Sequence, residues 1–334
     1  MKLYKIILTS FFLYLFTFCN NSTEKESIHT GNVFGTYYRI KYKPNKVSYK
    51  KIQQGLDSIF KIINVSFSTY LPNSAISKIN NGDSTIIVNA HFEKVFRKAT
   101  EVYTATDGYF DPSVGALVNA YGFGPNKKLN KIEKVQRDSL LKITGWNKIK
   151  LTSNKKIKKK YPNIFIDFNA LAKGYAIDII GEYLYSLNIK NYLVEIGGEI
   201  LAAGKNPNKK NFWKVAIQNP IKQKQNPFIY IISLKNKAIA TSGNYRKFRV
   251  DPLTGEKYVH SINPLTGVSV RSTILSASVI ATDCMTADAW ATALMVLPLK
   301  KGQEFIAKNN NLEAYWIVSK NNTIKEYFSK GFKK

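Results

Sequence analysis

The sequence predicts an α+β fold in which mostly antiparallel sheets pack against helices, and three observations predict it. Strand-like alternation recurs in short stretches joined by turns, most plainly in Tyr192 to Gly204 (YLVEIGGEILAAG), which reads as strand, Gly-Gly turn, strand. Apolar residues recur at helical spacing in Ile52, Leu56, Ile59, Phe60 and Ile63, and again in Val95, Phe96, Ala99, Val102 and Tyr103. Ala281 to Val296 (ATDCMTADAWATALMV) reads as a buried helix of small and apolar residues. The 334 residues, 44% of them hydrophobic, suffice for a sizeable core in one large domain or two closely packed ones.

The chain begins with a short basic start, Lys2 and Lys5, and an apolar run that ends at Cys19. That pattern predicts an export signal over residues 1–19, a polar tether over 20–30 and a folded body over 31–334. A cysteine directly after the apolar run resembles the lipidation site of a bacterial lipoprotein, although Phe16 and Phe18 stand where small residues are usual. The alternative is an uncleaved N-terminal anchor. Both readings place an exported, membrane-anchored body facing the periplasm, and Cys284 then remains alone, so no intrachain disulfide is expected. The net charge of +28 would suit nucleic acid, an anionic membrane or a phosphorylated substrate. No zinc-finger or helix-turn-helix spacing accompanies it, so no nucleic-acid partner is expected.

Along the body, Gly31 to Lys43 alternates as a first strand with a bend at Gly35 and Thr36. A helix through Ile52 to Ile63 leads to a turn at Pro72 and Asn73, beside which Tyr70 offers a flat face for a planar ligand or is plain core. The next helix, Glu93 to Thr106, stops at Asp107 and Gly108, after His91 in a loop. GYFDPSVGALVNAYGFGP reads as a loop, in which Asp111 is held extended by Pro112 and is either a ligand-facing carboxylate or a turn former. The lysine run Lys155 to Lys160 reads as a solvated hairpin.

Then FIDFNALAKGYAIDII reads as a strand entering a helix, with Asp167, Ala170 and Lys173 spaced by threes toward one place. Carbonyls at such a junction can meet a cation, and Lys173, set between Ala172 and Gly174, can meet a phosphate. His260 lies between strand-like residues and a Pro-Thr-Gly turn, and the final strand ILSASVIAT feeds the helix of small residues.

That helix carries the residue most in need of a reason. Asp288 and Thr292 lie four apart, one turn above each other, so a carboxylate and a hydroxyl can grip one cation together. A charge on such an apolar surface costs several kcal/mol unless paired or metal-bound. The alternative is an Asp that caps the helix it begins.

Seven stretches, STYLPNSAISKIN, the GYFDPSVG and YGFGP pair, DFNALAKGYAID, VEIGGEILAAG, ATSGNYRKF, HSINPLTG and TADAWATAL, stand in the order found in the ApbE family of FAD:protein FMN transferases, and the chain resembles that family from about Gly31 to Leu297. The resemblance implies a T-fold-like α+β body. It implies Mg²⁺ held by Asp288, Thr292 and the backbone carbonyl of Ala170. It further implies an FAD site that includes Tyr70 stacked on an aromatic ring, the Tyr109, Phe110 and Asp111 strip, Asp167, and Lys173 near the pyrophosphate. His260 and Ile262 fall on a loop lining the same cavity, with the Thr241 to Gly243 turn shaping it. Phe34 stands where many relatives have Met, Asn263 where Asp is usual and Asn169 where Gly is usual.

The activity implied is Mg²⁺-dependent transfer of the FMN half of FAD onto a Thr or Ser hydroxyl of an exported or membrane-bound redox subunit, releasing AMP. Histidine titrates near pH 6.5, and His260 is expected to act as general base. The alternatives are an FAD pyrophosphatase yielding FMN and AMP, and a non-catalytic flavin-binding lipoprotein.

Overall fold

The computed structural model describes residues 26–125, 132–220, 228–244, 248–250, 255, 257–270, 272–320 and 323–332. Its first elements are the hairpin β1 (Ser27–Val33) and β2 (Thr36–Tyr42), then helices α1 (Tyr49–Phe67), α2 (Ala75–Asn80), α3 (Ala90–Ala105), α4 (Gly115–Ala120) and α5 (Lys134–Lys142). A small hairpin, β3 (Ile149–Leu151) with β4 (Ile157–Lys159), leads to α6 (Ala172–Ser186). Strands β5 (Tyr192–Ile196), β6 (Glu199–Ala203), β7 (Trp213–Gln218), β8 (Phe228–Leu234) and β9 (Lys237–Gly243) follow. Short strands β10 (Phe248–Val250), β11 (Lys257–Val259), β12 (Ile262–Asn263) and β13 (Val268–Ser269) precede β14 (Ile274–Ala281). The chain closes with α7 (Cys284–Val296), α8 (Leu299–Ala307), β15 (Glu313–Lys320) and β16 (Thr323–Phe328).

Eight strands make one sheet in the order β1-β2-β5-β6-β9-β14-β15-β16, and every neighbouring pair is antiparallel. The α+β expectation therefore holds. One face carries α1, α3, α6 and α7 over the main core. The β7–β8 hairpin covers the other: Trp213, Val215 and Ile217 alternate inward and meet Leu193, Ile239 and Ile317 of the sheet. A helix that is apolar all round has to be buried, and every residue of α7 except Thr292 is buried. Thr292 is thus the one place where this helix reaches open space. Packing against both β9 and β14, α7 sits over the middle of the sheet.

Several local readings change. The sheet begins at Ser27, inside the stretch read as tether, because Ser27–Val33 pairs along its whole length with Thr36–Tyr42. What read as one bent strand is this hairpin, turned at Phe34 and Gly35, both with positive φ (52° and 72°). A bulky residue seldom adopts that conformation, and the turn holds the Phe34 ring edge-on to Phe60 at 5.8 Å. Cys19 and the signal lie outside the described residues. The glycine-rich stretch after Gly108 contains α4, and His91 lies on α3 with its ring bonded to the Tyr175 hydroxyl at 2.8 Å. The segment before α6 is not a sheet strand; its strand-like pairing is one isolated bridge from Val114 to Phe165. Thr241 to Gly243 is no turn but the end of β9.

The lysine hairpin forms, with one exception to its solvation. Lys159 is half-buried, and its ammonium donates to the carbonyls of Ile79 (2.9 Å) and Ile164 (3.0 Å), which fastens β4 to the end of α2. A cation suits a helix C-terminus. Burial nevertheless pulls its pKa down to about 8.

Candidate active site

The site is built where α6 and α7 cross, and the crossing depends on a glycine. A Cβ on Gly174 would lie 2.4 Å from the Cys284 carbonyl oxygen, so only glycine admits so close an approach of the two backbones. At that contact each helix caps the other. From α7, the Asp288 carboxylate accepts the Gly174 amide (3.1 Å) in the first turn of α6. From α6, Asp178 accepts the Cys284 and Met285 amides (2.7 and 2.9 Å) at the start of α7. These are amides that a helix cannot satisfy internally. The helix that carries Asp288 is capped by Asp283, whose side chain accepts the Thr286 amide at 2.8 Å. The capping alternative is therefore half right: Asp288 does cap, but the neighbouring helix.

Asp288 is 3% exposed. Its remaining partner is Lys173, whose ammonium is 3.6 Å away and also 3.0 Å from the Glu199 carboxylate. Burial raises the Asp288 pKa, the more so with Glu199 near, while Lys173 works against the shift; the result is about 7. Burial pulls Lys173 down, but Asp288 and Glu199 together outweigh it and hold the ammonium above its ordinary value. Asp178 is likewise raised by burial, to about 7, against the pull of its two amide donors. Glu199 directly follows the Gly197–Gly198 turn between β5 and β6, whose positive φ values (64° and 108°) suit glycine.

Thr292, on the next turn of α7, has its hydroxyl 3.4 Å from that of Ser242 on β9. Two residues further on, Asn244 accepts the Ser261 hydroxyl at 2.8 Å, so the end of β9 ties the Thr292 turn to the loop carrying His260. His260 packs edge-on against Phe123 at 6.4 Å. Its neighbour Ile262 is buried with Leu117 and Tyr121, and that packing holds the loop down.

On the other side, the end of α2 and two loops are knitted together. The Asn80 side chain pairs both ways with the Ile166 backbone at 2.8 Å, and the Asp167 amide donates to the Pro112 carbonyl at 2.8 Å. Tyr70 is 62% exposed, a free flat face beside this junction. Burial and then the nearby Asp167 raise its phenol pKa. Asp167 accepts the Asn169 amide at 2.7 Å, and its carboxyl is raised by burial. Ala170 lies two residues before α6, half-buried against the core. Phe34 lines a cleft of about 650 Å³ with Asp57, Phe60, Lys61, Asn64 and Leu71, the last adjacent to Tyr70.

Two of the expected ligand residues have structural tasks of their own. Phe110 is 3% exposed and belongs to the main core. Asp111 accepts from the Ser113 amide and hydroxyl (2.8 and 2.6 Å) and from the Trp146 amide (3.1 Å), which is the turn-forming alternative. Tyr109 stays half-buried, with the Lys301 ammonium 4.8 Å above its ring.

The donor set at Asp288 and Thr292 fits Mg²⁺, which takes oxygen ligands and is usually held by one or two carboxylates plus substrate phosphates. A single ammonium serves two buried carboxylates, so the site keeps a net negative charge. No group of three His, Cys, Asp or Glu side chains converges as a metal set among the described residues. Sequence reading missed Glu199 and Asp178. A lone acid at the head of the apolar strand EILAA was the available signal for Glu199; nothing local marked Asp178.

Residues 34–316 match the model of the ApbE family. The chain is 34% identical over 328 residues to the FAD:protein FMN transferase of Haemophilus influenzae, covering 95% of this chain and 93% of that protein. It is 30% identical to the FAD:protein FMN transferase of Escherichia coli K12, covering 91% and 87%. Among solved structures, flavin transferase ApbE from Vibrio cholerae superposes with a TM-score of 0.84 at 32% identity, over 92% of this chain and 98% of that one.

Proposed function

The chain belongs to the ApbE family, and we propose that it is a flavin transferase that moves the FMN half of FAD onto a Thr or Ser hydroxyl of another protein, releasing AMP. The observation that carries this reading is the buried Asp288 one turn from Thr292, the single residue of α7 that is not buried, with Lys173 alongside. The names of the relatives and the fit of their folds support it.

Asp288, Thr292 and the Ala170 carbonyl would hold Mg²⁺. Bound there, the ion supplies neutralisation of the pyrophosphate charge. Lys173, in the first turn of α6, adds a point charge where the helix dipole already favours an anion. Tyr70 offers its exposed face to an aromatic ring of FAD. The acceptor hydroxyl oxygen attacks the FMN-side phosphorus, the bond from that phosphorus to the bridging oxygen breaks, and AMP leaves with that oxygen. His260 takes the hydroxyl proton as general base, and the acceptor is an exported or membrane-bound redox subunit. We place the protein outside the cytoplasmic membrane, anchored through lipidated Cys19 and facing the periplasm.

The test incubates the protein with FAD, Mg²⁺ and such a subunit, then reads flavin fluorescence in the gel together with AMP. A fluorescent acceptor band with matching AMP is expected, absent in Asp288→Ala. In His260→Ala it should form about 10²–10⁴ times more slowly with FAD affinity retained. AMP with free FMN and no labelled acceptor would replace transfer by hydrolysis, and bound FAD with neither product would leave a flavin-binding protein.

A further inference from the structure

Glu199 is 7% exposed, and the family reading gives it no task. One of its oxygens accepts Lys173 at 3.0 Å; the other, Oε2, is buried with no hydrogen-bond partner among the described residues. An unpaired buried carboxylate oxygen is costly and asks for a purpose. Its surroundings are tight. A Cβ on Gly197 would sit 3.3 Å from Oε2 and 2.9 Å from the Thr36 methyl, so the glycine turn leaves this carboxylate just enough room.

The geometry of Lys173 supplies the purpose. Its ammonium has three N–H donors and stands between two carboxylates, nearer to Glu199 (3.0 Å) than to Asp288 (3.6 Å). If Lys173 closed on Asp288, it would occupy the carboxylate offered to a divalent cation and cancel its charge. We infer that Glu199 is a positioning residue that draws Lys173 away from Asp288 and so keeps that carboxylate open to the cation. The unpaired Oε2 is the acceptor for the second N–H that Lys173 gives up when a cation takes Asp288. This inference rests on the cation reading of Asp288.

The experiment measures Mn²⁺ binding by electron paramagnetic resonance on the protein without FAD, alongside thermal melts of each variant. Glu199→Gln keeps the shape but removes the charge, so Lys173 turns to Asp288 and Mn²⁺ affinity falls about tenfold or more, the effect of one charge within ~4–6 Å. Adding Lys173→Gln removes the competitor and should return the affinity to within about threefold of wild type, a recovery that a merely structural role for Glu199 would not produce. Unchanged affinity in a folded Glu199→Gln overturns the inference, and so does a loss that Lys173→Gln fails to restore. If the wild type itself binds no Mn²⁺, the cation reading falls too; if only the variants fail to differ, it stands.

Discussion

Replacing Gly174 by alanine tests the crossing on which the site depends. The three nearest atoms to the new methyl group are the Cys284 carbonyl oxygen (2.4 Å), the Cys284 carbonyl carbon (2.7 Å) and the Met285 Cα (2.8 Å), all backbone. None can rotate aside, so the first turn of α7 has to move by roughly 0.6 Å or more, an overpacking that costs about 1–3 kcal/mol. The same shift stretches the Gly174 amide bond to Asp288, a charge-assisted contact worth about 1.5–3 kcal/mol. Better helix propensity returns about 1 kcal/mol. The net expectation is a loss of about 2–4 kcal/mol, read as a lower urea midpoint with an unchanged slope. Because Asp288 moves with α7, flavin transfer should fall by roughly 10²-fold. Gly55→Ala is the matched control: there the methyl group meets the far end of the Tyr183 side chain, which can swing away at the cost of its bond to the Lys51 carbonyl. It should stay within about 1 kcal/mol of wild type. A Gly174→Ala protein with the wild-type midpoint would refute the close-crossing argument.

Two further outcomes follow from buried bases outside the site. His29 is buried against Tyr49 at 3.8 Å between ring centres and bonded to Gln53 and Tyr42. Burial, opposed by the Gln53 bond and by Asp57, lowers its pKa below the ordinary 6.5. The unfolded chain therefore binds the proton first, so this stability is complete above about pH 6.5 and is lost as pH falls toward the folded value. Urea midpoints of wild type and His29→Gln should converge between about pH 7 and 5; a constant gap would remove His29 from the account. Within the lysine run, Lys159→Gln should cost about 1–3 kcal/mol by leaving carbonyls unsatisfied. Lys158→Gln, exposed, should stay within about 0.5 kcal/mol, and equal effects would contradict the buried anchor.

What the sequence by itself determined was local. The run of alanines, Leu294 and Met295 around Asp288 already required a buried helix with a charge that needed a partner, and four-residue spacing already put Thr292 on the same side. The glycine pair at 197 and 198 announced its hairpin because two consecutive positive φ values suit little else. Periodicity reports how a segment divides between inside and outside, but not which segment it meets there. That Lys173 and Glu199 share one salt bridge, that Asp288 caps α6 while Asp178 caps α7, and that one Asp111 oxygen goes to the Trp146 amide were decided only by tertiary structure. The partners in these contacts lie from 26 to 114 residues apart. Their energies come from burial and geometry that exist only once the sheet has brought the helices together. For the same reason the burial of Phe110 and Ile262 could not be read in the sequence: an apolar side chain beside a site is indistinguishable from one beneath it until the layer above is in place.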